Sequence, residues 1–455
     1  SLVSPGMADV VVWPKNSGEI SKIVHYCNKN NIPLIPVSSK VHFNGCTIPK
    51  QGGIVLDMTR MNSVLEVDTY NRKVKIEPGV TWGQITNVLN KKGMRIMMPL
   101  LPHPERSVLT DFLEREVPTN TVFDYGEPVL SMEVVWPTGE IFRTGSASVT
   151  GYPDSPAEGM NPSGPGLDFY RLLQGAQGTM GVVTWMILKI ESVPSIDRIF
   201  FAPVDDIAYV MEFLHRILPR RIGQECLLLN NIDMATVIAE HWPEDFEKLS
   251  LSLPSWTLIL VLSGLKMRPE EKMAYEENFL NQVLRNEFKD IALTDNLPQF
   301  PGLGRKLLKM LREPWMQHGI YRKNLWKGGC QDITFITKSD KVELFIDIVE
   351  GITALHGYPS GSIGGYIQPI EHNRACQMEF SLFYNPFDDV EKAAIRSMFK
   401  DAVLTLMNEG AFFTRPYGEI APIVYERTAG YTIALQRVKK IFDPKNIMNP
   451  GNLCF

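Results

Sequence analysis

The sequence predicts an α+β protein, and three observations carry that expectation. A strand–helix–strand pattern opens the chain, over Val10–Val37. From about residue 197 to 410, short apolar strands alternate with amphipathic helices, as when helices pack on an antiparallel sheet. The composition is that of an ordinary globular chain: 455 residues, 44% hydrophobic and 21% charged. At roughly 100–200 residues per domain, this is material for two to four cores. The charge of 46 Lys plus Arg against 51 Asp plus Glu, net −5, offers no basic face for nucleic-acid phosphates. No apolar run reaches the ~18–20 residues of a membrane span; the longest, Trp256–Leu262, is strand length. The first residues lack a basic stretch followed by an apolar core, so no signal peptide is expected. Cys27, Cys46, Cys226, Cys330, Cys376 and Cys454 contain no C-x-x-C pair. They fit neither a zinc ribbon nor an iron–sulfur cluster and read as free thiols of a reducing cytoplasm.

Val10–Trp13 is a strand closed by Pro14, and Asn16 to Glu19 offer capping groups for a helix carrying Ile20, Ile23, Val24 and Cys27. Pro33–Val37 follows as a second strand, expected to lie parallel to the first. Gly53–Leu56, Val64–Asp68 and Lys73–Ile76 are further strands, and Thr81–Lys92 is a helix with Ile85, Val88 and Leu89 on one face. Prolines 102, 104, 118 and 128 predict a structured loop over 100–130. Met132–Trp136 and Glu140–Arg143 form a hairpin around Pro137-Thr138-Gly139. Ser146–Pro165 is a surface loop and Asp168–Leu173 a short helix before the strand Val182–Ile190. Strands follow at 199–201, 227–230, 257–262, 333–336, 366–369 and 376–384, with helices near 205–217, 268–287, 339–356 and 389–409. A last helix covers about 431–441.

Four features occur in one order: a turn-like stretch after Val37, Glu77-Pro78-Gly79-Val80, the Trp-Pro-Thr-Gly-Glu hairpin, and Gly175-x-x-Gly178-x-x-Gly181-Val182-Val183. Glycines at such places let backbone amides approach a phosphate or an extended ring. The 175–181 spacing is not a Rossmann fingerprint, because Gly175 follows a helix and Gly181 opens a strand. In this order the features resemble the flavoprotein family of vanillyl-alcohol oxidase and para-cresol methylhydroxylase, which also holds glycolate and D-lactate dehydrogenases. Ile54–Asn62, Ile76–Gly83, Tyr125–Glu127 with Ser131–Val135, Gly166–Leu173 with Gly178–Thr184, and Phe442–Gly451 carry the resemblance across nearly the whole chain.

The resemblance implies a PCMH-type FAD-binding domain of two subdomains over 1–196, an α+β cap with an antiparallel sheet over 197–412, and a segment 413–455 returning to the first domain. It implies FAD, with Ser38, Ser39, Lys40, Val41, His42 and Phe43 along the diphosphate. Pro99, Ser107, Thr110, Asp111, Gly178, Gly181, Val182, Val183 and Asn449 would stand around the rest of the cofactor. The family's diphosphate loop is glycine-rich, whereas 38–44 holds no glycine. Val41 does not take φ > 0 cheaply. His42 falls where one branch joins the flavin 8α-methyl to histidine, so a covalent link there is an open alternative to a hydrogen bond.

Arg415 matches the arginine that steadies a phenolate in the phenol-oxidising branch, and Tyr417 follows it. A guanidinium favours a phenolate or a carboxylate alike. Glu127 follows Tyr-Gly as that branch's acidic residue does. Tyr384 and Glu379 lie on one strand, Glu379 as a base with a raised pKa or as a solvated face. His372 is a substrate ligand or a polar turn residue. The hydroxy-acid branch's metal signature is missing, so no metal site is expected. The resemblance implies an FAD-linked enzyme taking a hydride from an alcohol-type or benzylic carbon of a small, phenolic or other aromatic substrate. One alternative is a D-2-hydroxy-acid dehydrogenase subunit passing electrons to a cytochrome, iron–sulfur or flavin partner. Another is a non-catalytic scaffold, suggested by the missing glycines. A homo-oligomer is expected from the family.

Overall fold

The computed structural model describes residues 6–120, 128–151, 155–297, 300–315 and 319–455. The chain opens with β1 (Val10–Val12), α1 (Ser17–Asn30), β2 (Leu34–Val37) and β3 (Ile54–Asp57). Asn16 caps α1 by accepting from the Glu19 amide at 3.0 Å, and Asn31 ends it in the left-handed region. Ile20, Val24 and Cys27 form its buried face, at the spacing read from the sequence. β1 and β2 are parallel but not neighbours: β3 lies between them, Ile54 opposite both Val10 and Leu34. The central place buries Leu56 fully, while the edge strand β1 leaves Val10 and Val11 exposed.

A second sheet is antiparallel. It is built from β4 (Val64–Asp68) and β5 (Lys73–Ile76), then, after α2 (Trp82–Asn90), the two-residue β6 (Met94–Arg95) and α3 (Val108–Leu113), from β7 (Val129–Val135), β8 (Ile141–Arg143) and β9 (Val182–Lys189). The order is β4-β5-β9-β7-β8. The expected hairpin is present as β7 and β8, Val135 opposite Ile141. The loop expected over 100–130 is corrected by α3, whose Val108, Leu109 and Phe112 join the core beneath this sheet. Ser107 caps α3 by accepting from the Thr110 amide. Flanking prolines mask this short helix in the sequence.

β10 (Glu191–Ser192) pairs with β6 and leads into the third layer. That layer contains β11 (Ile196–Val204), α4 (Ile207–Ile217), β12 (Glu225–Asn230), α5 (Asn231–Ile238), α6 (Glu244–Ser252), β13 (Trp256–Gly264), α7 (Pro269–Asn286) and α8 (Leu303–Met310). It continues with β14 (Gly329–Lys338), α9 (Val342–Leu355), β15 (Ile363–Ile370), β16 (Ala375–Tyr384) and α10 (Asp389–Asn408). The six strands run β11-β13-β12-β15-β16-β14, every pair antiparallel. α4, α7, α9 and α10 cover one face, and α5, α6 and α8, which the sequence reading did not anticipate, cover the other. A buried ionic knot joins this layer to β6 and β10. Arg95 bonds Glu191 at 2.6 Å and Glu225 at 3.0 Å, and Arg312 bonds Glu225 at 2.9 Å and Asp197 at 2.7 Å.

After α11 (Ala421–Arg427) and α12 (Ala429–Phe442) the chain returns to the first sheet. Leu34 donates to Ile447 at 2.7 Å and accepts from Asn449 at 2.9 Å, and Ile447 and Met448 complete the core of Ile20, Leu34 and Leu56. Lys439 is buried at this junction, its ammonium donating to Thr179 O at 2.6 Å and Asp443 Oδ2 at 2.7 Å.

Candidate active site

A cavity of about 780 Å³ opens between the loops of the first two sheets and the six-stranded layer. Its floor includes His42, Phe43, Pro99, Arg106, Asp111 and Glu116; its roof includes Tyr321, Arg322, Lys323, Asp332, Tyr366 and Glu379. Arg415 and Tyr417, on the stretch between α10 and α11, close one side.

The floor starts with the loop after β2. Ser38 and Ser39 are buried, and the Ser38 hydroxyl bonds that of Thr110. His42 Nε2 meets the Ser39 carbonyl at 2.5 Å. Burial pushes the imidazole down to about 4, with Arg106 adding to the effect, so His42 is neutral at pH 7. Positive φ first occurs at Gly45, so residues 38–44 need no glycine. Among the described residues, no backbone N–H of 38–44 donates to a protein acceptor. Lys40 is exposed and Val41 half-buried.

Deeper in the floor, Arg106 is buried against three acids: Asp111, Glu114 at 2.7 Å and Glu116 at 3.8 Å. Trp82 Nε1 donates to Asp111 Oδ2 at 2.6 Å. Burial pushes Asp111 up to about 6 and also raises Glu114, each partly relieved by Arg106. The three carboxylates are close enough to share one cation, and the cation they share is Arg106. Arg415 pairs with Glu116 at 2.5 Å.

The roof is ionic and aromatic. Lys323 lies between Asp332 at 2.7 Å and Glu379 at 2.5 Å, and Thr334 donates to Glu379 at 3.2 Å. Arg322 bonds Thr236 at 2.8 Å and faces Asp233 at 3.5 Å, its Nε buried without a partner among the described residues. Phe43 stacks against Tyr321, ring centres 4.8 Å apart. Burial holds the Tyr321, Tyr366 and Tyr417 phenols above their ordinary range, so they are donors at neutral pH.

Of the residues singled out in the sequence, His42, Phe43, Pro99, Asp111, Glu379, Tyr384, Arg415 and Tyr417 line this cavity. Glu379 is not the raised-pKa base considered above. Burial alone would raise it, but Lys323, Arg322 and Arg415 outweigh that and hold it below the usual carboxylate range. His372 lies on the turn between β15 and β16, away from the cavity lining, with φ of 57°. Ser107 is fully buried and committed to capping α3 and to Pro78 O at 2.6 Å. Glu127 lies outside the described residues. Arg106, Glu116, Arg322 and Lys323 were missed. The one signal for the last two is a basic pair beside Tyr321 ahead of an apolar strand.

The family described as FAD binding domain matches residues 8–145, and the FAD linked oxidases, C-terminal domain, matches 423–453. The chain thus carries an FAD-binding domain near its start and an FAD-linked oxidase C-terminal match near its end. It is 30% identical over 189 residues to the mitochondrial D-lactate dehydrogenase [cytochrome] of Arabidopsis thaliana, covering 41% of this chain and 31% of that one. It is 27% identical over 265 residues to glycolate oxidase subunit GlcD of Bacillus subtilis, covering 56% and 51%. The matches thus span from just under a third to about half of these two relatives. In fold, the chain is similar to 4-ethylphenol oxidase from Gulosibacter chungangensis, with a TM-score of 0.82 at 19% identity, covering 99% of this chain and 90% of that one.

The residues of this chain fit FAD. The unpartnered amides of 38–44, beside buried Ser38 and Ser39, are the donors a diphosphate needs. Gly178, at φ +73°, sits so close to Pro36 that a Cβ would fall 2.7 Å from its Cγ, which brings the loop before β9 onto β2. Gly181 likewise admits no Cβ beside Val134, and Val182 and Val183 are buried in β9. Asn449 donates to Cys46 O at 2.9 Å and Gln177 O at 2.7 Å, leaving a buried Oδ1 as an unused acceptor. Among the described residues no helix is long and apolar enough to cross a membrane.

Proposed function

We propose that this chain is an FAD-linked oxidase or dehydrogenase that removes a hydride from an alcohol-type or benzylic carbon of a small aromatic substrate of phenolic type. The observation that carries this reading is the wall of Phe43, Tyr321, Tyr366 and Tyr417 around the paired cations Arg415 and Lys323. FAD, when bound, supplies the ring that accepts the hydride. Tyr321 and Tyr366 flank the substrate ring, and Arg415 and Tyr417 donate to its oxygen. The proton leaving that oxygen goes to the Asp111–Glu114–Glu116 group, whose Asp111, at about 6, is matched to a proton acceptor near neutrality. Glu379 stays ionised and fixes Lys323. In this reading residues 1–196 hold the cofactor, 197–412 form the cap and 413–455 close the cofactor domain. Electrons then leave to oxygen or to a redox partner. A cytoplasmic setting agrees with six cysteines that are all free thiols.

A second reading, oxidation of a D-2-hydroxy acid, is favoured by the names of the relatives. Anaerobic mixing of the flavin-loaded protein with 4-alkylphenols, benzylic alcohols and D-2-hydroxy acids separates the two. Loss of the flavin band near ~450 nm with the aromatic compounds is the expected result. Bleaching by hydroxy acids alone would replace the first reading with the second.

A further inference from the structure

Two ionic groups face each other across the cavity. On the floor side, Arg106 and Arg415 meet Asp111, Glu114 and Glu116. On the cap side, Arg322 and Lys323 meet Asp233, Asp332 and Glu379. Each group has two cations and three carboxyls, so neither has positive charge to spare for an incoming anion. The contact at the substrate end is tight: Glu116 Oε1 lies 2.5 Å from Arg415 Nη1, and both side chains line the cavity. An arriving carboxylate would meet the Glu116 carboxylate at the same guanidinium. Like charges a few ångströms apart in a half-buried site repel strongly, because little water screens them. A neutral hydroxyl or amide meets no such opposition and still accepts from Arg415.

We propose that the site takes its aromatic ligand uncharged and rejects carboxylates, and that Glu116 is the specificity-determining residue. The inference deepens the aromatic-substrate reading above and rests on it for the position of the ligand. It also assigns the excess carboxyl on the floor a use: it receives the proton that a neutral substrate brings with it.

The test uses two probes of one shape, benzamide and benzoate, titrated into the flavin-loaded protein at pH 7.5 and followed by the shift of the flavin absorbance. The wild type is expected to bind benzamide about tenfold or more tightly than benzoate. Glu116→Gln should improve benzoate binding about tenfold while leaving benzamide within about twofold. Glu116→Asp, which keeps the charge, should keep the preference. Equal or tighter binding of benzoate by the wild type overturns the proposal, as does an unchanged preference in Glu116→Gln or the absence of a shift with either probe. Should Glu116→Gln fail to hold flavin, the wild-type pair decides alone. If 4-alkylphenols bleach the flavin but the two probes bind alike, this inference fails and the functional reading stands. If the probes behave as expected but no aromatic compound bleaches the flavin, the functional reading fails and the charge selection stands.

Discussion

His42 is a half-buried imidazole held by one carbonyl, and its environment has a consequence for stability. The folded protein binds its proton only below about 4, the unfolded chain below about 6.5. Between those values the unfolded state holds more protons, so this residue lowers stability as pH falls from 6.5 toward 4. Asp111 acts in the opposite sense: folded it holds a proton up to about 6, and it lowers stability as pH rises from about 4 to 6. Urea unfolding of the wild type and His42→Gln at pH 8 and pH 5 separates them. The wild type should lose about 2 kcal/mol more than the variant over that interval. Because Nε2 already serves the Ser39 carbonyl, we expect FAD to be held without a covalent bond. Acid precipitation should leave the colour in solution; colour in the pellet that vanishes in His42→Gln would assign a link to this residue. Across the cavity, Lys323→Met strands Asp332 and Glu379 together. It should cost roughly 3 kcal/mol by chemical denaturation and slow flavin reduction.

At the scale of single elements, the glycine-bearing turn before β9 is the part most sensitive to one methyl group. Gly178→Ala puts a Cβ into Pro36 in a backbone conformation that disfavours L-residues. FAD titration of the apoprotein should give at least a tenfold weaker complex, whereas an unchanged affinity would mean that the first two sheets do not clasp the cofactor at this point. That turn was readable from its glycines, as were α1 from Asn16 and the β7–β8 hairpin from Pro137-Thr138-Gly139. The place of β3 between β1 and β2 was not readable, since pairing order depends on which strand gains most from burial on both faces. α3 escaped because prolines on either side obscure a six-residue helix whose only local mark is Ser107. The site divides in the same way. Arg415, Tyr417 and His42 belong to contiguous motifs, while Arg106 and Glu116 acquire meaning only when Arg415 arrives from about 300 positions later in the chain.

For the molecule as a whole, the knot of Arg95, Glu191, Asp197, Glu225 and Arg312 ties the six-stranded layer to β6 and β10. Glu225 touches both arginines, and Glu225→Gln leaves two buried guanidinium groups sharing two acids. Loss of roughly 3 kcal/mol is expected. Flavin fluorescence and far-ultraviolet circular dichroism should then report separate midpoints where the wild type gives one. The return of the last segment to β2 has a different consequence, one of timing. Asn449 contacts Cys46 from 403 positions away, and Met448 lies alongside Leu34. On the ribosome, the first sheet must therefore wait through synthesis of the entire six-stranded layer before its core is complete. The six-stranded layer can fold while that sheet is still unfinished, so cofactor capture becomes an event that follows translation.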